Sequence, residues 1–181
     1  MNAASATQKR LQDRLAKAIE SHADIGAIKT LLDEGGVAND ATVTQAIEEH
    51  VSKAGTTWAE ALFAIPQIAE AWRLREIADQ AAYDLVESLE QNDLDGVKVA
   101  LKEMATAGDD ADMDLGDGTM LAIAVQNRCD LRIIKMLMEA GKADPAGFSS
   151  DAVEALEDVE DGSWKTDVQV LFRGSGVKFA K

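Results

Sequence analysis

The densest run of groups that could hold an ion is formed by Asp109, Asp110, Asp112, Asp114 and Asp117, followed by Gly118. Carboxylates at alternate positions are how a calcium loop wraps a hard cation. With Asp110 as first ligand, Asp112 and Asp114 fall at the third and fifth positions of such a loop. Leu115, however, stands where the loop needs its sharp-turn glycine, and Leu121 where it needs its closing glutamate. The run lacks both the residue that bends a calcium loop and the one that closes it, so no metal or cofactor is assigned.

The remaining reactive side chains are dispersed. Glu48-Glu49, Glu157-Asp158 and Glu160-Asp161 are paired carboxylates, but acid–base work needs burial or a close like charge to shift one of them. Their neighbourhoods read as solvated helix faces and turns. Cys129 is the only cysteine, which rules out an intrachain disulfide and a thiolate cluster. In a helical setting it is expected to be a small core residue. His22 and His50 are the only histidines, each at an expected helix end and neither near a nucleophile motif. Gly174-Ser175-Gly176 follows an expected helix instead of a strand, so it is not a phosphate loop. These residues give no reason to expect an enzyme.

The elements that carry these residues are helical. The chain of 181 residues is 46% apolar but only 4% aromatic, with two prolines. Alanine and leucine fill its interior, which suits closely packed helices better than a β-sandwich. The formal net charge is −15, and such a surface repels phosphate backbones. Residues 1–82 carry 8 basic and 12 acidic side chains, residues 83–181 carry 10 and 21. The second part therefore favours a basic partner or resists self-association, besides keeping the chain soluble. No stretch reaches the length of a membrane span, and the first ten residues lack the apolar core of a secretory signal. A cytoplasmic location is expected.

Along the chain, residues 1–8 are small and polar and are expected to fray. From Arg10 apolar residues recur at helical spacing through Leu11, Leu15, Ala18 and Ile19. A polar break, Ser21-His22-Ala23-Asp24, leads to a second short helix carrying Ile25, Ile28, Leu31 and Leu32 that stops at Gly35-Gly36. Residues 18–35 align without a gap on residues 124–141, 106 positions later: Ala18 on Ala124, Asp24 on Asp130, Ile28 on Ile134, Leu31 on Leu137, Gly35 on Gly141. Asp93, Leu94, Val97 and Lys98 repeat Asp130, Leu131, Ile134 and Lys135. The aspartate is expected to cap the second helix, the apolar set to bury it, and the glycine to end it in a left-handed conformation. One such pair cannot bury its own apolar face, so copies must stack.

Between these copies, residues 40–82 read as a helix over 42–51, a second over 58–64 capped by Thr56-Thr57, and a long amphipathic helix opened by Pro66. This segment is either an expanded repeat or a spacer. Residues 149–174 read as a degraded copy, with Ser149-Ser150 capping a helix over 151–159 and a second over 165–173. Trp58, Trp72 and Trp164 fall near apolar positions and are expected to pack in the core, with a repeat-edge position the alternative for Trp164.

Asp117-Gly118-Thr119-Met120-Leu121-Ala122, then Asp130-Leu131-Arg132-Ile133-Ile134 through Gly141, and Ala143-Asp144-Pro145 together resemble one ankyrin repeat. Met120 stands where that family has proline and Ala122 where it has histidine, with one extra residue between the helices and another after Gly141. The resemblance implies an all-α, ankyrin-like helical-repeat solenoid, here one domain over residues 1–181. Its repeat units would be 15–39, 83–118, 119–145 and, more distantly, 149–174, with 40–82 irregular. It also implies that the acidic run is a hairpin finger, and that fingers and first helices form a binding face. Asp112, Asp114, Asp117, Gln126, Asn127 and Arg128 are the candidate contacts for a protein partner, a basic one given the charge. Two other readings are a structural subunit of a larger assembly, since an open solenoid end is itself an interface, and an acidic mimic of DNA. Acidic residues that gather in turns instead of a regular stripe argue against the mimic.

Overall fold

Asp24, Asp93 and Asp130 each stand one residue ahead of a helix, and each carboxylate accepts a hydrogen bond from the backbone N–H two residues on. Asparagine and aspartate do this because their short side chains reach the free donors of a first helical turn. Ahead of each aspartate the preceding helix ends on a residue in the left-handed region: His22 (φ 50°), Asn92 (φ 53°) and Arg128 (φ 51°). Such an ending turns the chain back on itself within two or three residues. Each of these corners therefore makes a helix hairpin.

The computed structural model of the protein describes residues 3–108 and 118–179, with side chains from residue 6 onward. Ten helices occur among the described residues: α1 (Ala3–Glu20), α2 (Ile25–Asp33), α3 (Ala41–Val51), α4 (Thr56–Phe63), α5 (Pro66–Glu90), α6 (Leu94–Ala107), α7 (Met120–Gln126), α8 (Leu131–Glu139), α9 (Asp151–Glu157) and α10 (Ser163–Gly174). No strand element occurs among them. The chain divides into two compact units, Met1–Arg75 and Glu76–Lys181, with the division inside α5.

In the first unit α1 packs on α2 and α3, and α2 on α4. Leu15, Ile19, Ile28, Val43, Ile47, Leu62, Ile65 and Ile68 form the core; full burial of one such side chain contributes roughly 1.5–3 kcal/mol. The buried amide of Gln12 accepts from the Val37 N–H (3.0 Å) and donates to the Val37 carbonyl (3.4 Å). It satisfies a backbone segment that no helix ladder serves. The first part of α5 joins this unit through the edge-to-face contact of Trp72 with Phe63 (5.6 Å) and the Arg75–Glu48 ion pair (3.3 Å).

In the second unit α7 packs on α8 and α9, and α8 on α6 and α10. Leu85, Leu89, Val97, Met104, Met120, Leu121, Val125, Ile134, Leu137, Leu156 and Phe172 are central to its core. Met120 and Ala122, the departures from the ankyrin pattern, are both buried there.

Several expectations need correction. Helix α1 starts at Ala3, so residues 3–8 are helical instead of frayed. Gly55, with no side-chain cap, precedes α4, and Thr56 is already its first residue. Ser150 precedes α9 without a capping bond. Gly35 does end the α2 hairpin in the left-handed region (φ 104°), but after α8 that conformation falls on Lys142 (φ 59°) and not on Gly141.

Candidate functional site

The described half of the candidate contact set lies at the C-terminal end of α7. Buried Ala124 and Val125 anchor that end in the core, while Gln126, Asn127 and Arg128 are all exposed. Asn127 donates through Nδ2 to the Ile123 carbonyl (3.1 Å), which also accepts from the Asn127 backbone N–H (3.0 Å). Arg128 holds the left-handed corner, and its guanidinium stands 3.8 Å from the Glu160 carboxylate with both side chains exposed. An exposed pair of this kind contributes little stability, so the guanidinium stays available to a ligand. Asp112, Asp114 and Asp117, like the calcium reading of 109–117, lie outside the described residues.

The segment that follows those aspartates is firmly held. The Asp151 carboxylate accepts from the Thr119 backbone N–H (2.7 Å) and from the Thr119 hydroxyl (2.7 Å). Thr119 Oγ1 in turn accepts from the Ala122 N–H (3.3 Å), capping α7. Thr119 is buried. The chain at Thr119 is therefore fixed by a residue of α9.

On the other side of Arg128, Cys129 is buried and its thiol donates to the Leu89 carbonyl (3.1 Å). Burial, and secondarily the Asp130 charge, push its pKa up to about 11. A thiol so held is not a nucleophile at neutral pH. Asp130 receives Arg132 in a forked pair, Nε to Oδ1 at 3.0 Å and Nη2 to Oδ2 at 2.8 Å, besides the Arg132 backbone N–H. The Arg132 side-chain and backbone hydrogen bonds hold this carboxyl down at about 2. Asp130 is consequently a permanent anion and a helix cap.

The two histidines lie close together. Nε2 of His22 meets the His50 carbonyl at 3.1 Å, the two rings stand 6.2 Å apart, and His22 meets Trp58 edge-on at 5.0 Å. Among the described residues no group of three or more His, Cys, Asp or Glu could hold a metal ion. A surface groove of about 240 Å³ is lined by Leu156, Glu157, Asp161, Lys165, Gln169 and Phe179. Lys165 is committed there: its ammonium donates to the Glu157 and Val159 carbonyls (3.2 and 2.7 Å) and pairs with Asp161 (3.3 Å), closing the end of α9. No described helix is long and apolar enough to cross a membrane.

Sequence reasoning did not find the Thr119–Asp151 anchor, the Lys165 cap or the Gln12 clamp, since each joins residues remote in sequence or lies outside any motif. The chain matches no family model, no curated protein and no solved structure.

Proposed function

We propose that the protein is a non-enzymatic protein-interaction module of the ankyrin-like repeat type, which binds a basic macromolecular partner through its second unit. The observation that carries this reading is the end of α7, where exposed Gln126, Asn127 and Arg128 follow directly on core residues, on a helix whose start is held by Asp151. Polar groups displayed from a rigid helix end lose little freedom on binding, so contact energy is not spent on ordering them. Charge supports the choice of partner: residues 76–181 carry 10 basic and 23 acidic side chains, against 8 and 10 in residues 1–75. A field of that sign speeds encounter with a cationic surface and weakens as salt is added.

The test is binding of a lysine-rich probe peptide to the full chain and to a variant with Asp112, Asp114 and Asp117 each replaced by Lys. The variant is expected to bind at least tenfold more weakly with unchanged helicity by circular dichroism. Equal binding by the two proteins would overturn the assignment of these aspartates.

A further inference from the structure

We infer that each unit contains one copy of a module of two helix hairpins, closed by a tryptophan that reaches back to the corner of the preceding hairpin. Trp58 donates through its indole N–H to the Ala23 carbonyl at 2.8 Å, and Trp164 to the Cys129 carbonyl at 2.9 Å. Both bonds span 35 residues. Trp58 and Trp164 stand 106 positions apart, as do Ala23 and Cys129.

The corners that supply the two carbonyls match bond for bond. His22 and Arg128 share the left-handed conformation, at φ 50° and 51°. The next N–H returns to the carbonyl five residues back, Ala23 to Ala18 at 2.8 Å and Cys129 to Ala124 at 3.0 Å. Asp24 and Asp130 then cap helices whose bounds coincide at both ends under the same shift, Ile25–Asp33 and Leu131–Glu139. Packing agrees as well: α1 with α3 and α2 with α4 in one unit, α7 with α9 and α8 with α10 in the other.

Local sequence does not account for the match. Gly55-Thr56-Thr57 precedes one tryptophan and Asp161-Gly162-Ser163 the other, and neither Gly55 nor Gly162 offers a side-chain cap. What persists is the indole and its acceptor. An indole is suited to this place because its ring packs against the core while its single donor finds a partner: both rings are half-buried and pack against their unit's core. The hairpin of α5 and α6 is joined to α7 and α8 differently, by the Asn92 side chain accepting from the Asp130 N–H at 2.7 Å. It stands outside the duplicated module. Trp58 and Trp164 are thus positioning residues that set the register of the second hairpin on the first within each copy.

The experiment is hydrogen exchange on the full chain and on Trp58→Phe and Trp164→Phe, which keep an aromatic ring and remove the donor. Trp58→Phe is expected to speed amide exchange about five- to tenfold over residues 21–25 and to leave 127–131 unchanged, with Trp164→Phe doing the converse; this is the scale of one lost hydrogen bond. Unchanged exchange at a variant's own corner, or both variants acting on the same corner, would overturn the inference. Should a variant fail to fold, the unmodified protein decides. Its Trp58 and Trp164 indole protons are expected to exchange slowly in ¹⁵N spectra, and rapid exchange of either would contradict the proposed closure.

Discussion

The first unit and the second solve the same packing problem with different surfaces. In each, two stacked hairpins are joined by an indole-to-carbonyl bond. Yet the corner residue is His22 in one and Arg128 in the other, and the aspartate cap stands alone in one and is forked by Arg132 in the other. The first helix is eighteen residues long in the first unit, whereas α7 has seven and is pinned at its start by Asp151. From the charges counted above, the units carry formal net charges of −2 and −13. The caps, the left-handed corner and the apolar stripe recur in both copies, while the exposed positions differ.

The comparison is broken most severely through the stripe. Ile28 and Ile134 are equivalent and both fully buried, so Ile28→Ala and Ile134→Ala are each expected to cost about 2–5 kcal/mol in their own unit. Denaturant unfolding followed by exchange at each unit's amides measures this, and a loss below about 1 kcal/mol in either unit would contradict equivalent burial.

Asp151→Ala comes next, and sharpens the difference between the units because only the second has this anchor. Removing a carboxylate that serves two donors of a buried threonine is expected to destabilise that unit by about 2–3 kcal/mol, measured by denaturant midpoint. A neutral substitution would show that Thr119 is held by something else.

Replacing the corner residues acts in the opposite direction. His22→Gly and Arg128→Gly remove a side chain from a left-handed backbone conformation and are each expected to add roughly 0.5–1 kcal/mol. His22 also contacts Trp58 and the His50 carbonyl, so its gain is expected to be the smaller of the two. A gain at His22 exceeding that at Arg128 would reverse this ranking.

The smallest effect concerns pH. With its folded pKa lowered from 3.8 to about 2, Asp130 contributes stability that is fully present above its unfolded value and lost as pH falls through the folded one. Its carboxyl resonance is expected to titrate near the lower value and to return towards the upper one in Arg132→Ala. An unshifted midpoint in the unmodified protein would contradict the forked pair.

How much of this was legible in sequence depended on range. The aspartate caps, α2 and α8, and the Pro66 start of α5 follow from local chemistry, and all are present. Gln126, Asn127 and Arg128 are exposed. The left-handed corners at His22, Arg128 and Lys142 were not legible, because the search for such turns looks for glycine and here ordinary side chains bear the strain. The tryptophan bonds were missed for a different reason: each links a side chain to a carbonyl 35 residues away, which no local pattern encodes. The signal was nevertheless present, since the shift of 106 that aligns 18–35 with 124–141 also carries Trp58 onto Trp164.

The central claim, that the second unit carries the binding face, is tested most directly by titrating the ¹⁵N-labelled chain with a lysine-rich peptide and mapping amide shift changes. Changes are expected at Gln126, Asn127, Arg128 and the 109–118 segment, declining with added salt, and none over residues 21–52. Changes confined to the first unit would contradict the claim, as would spectra that do not move at all.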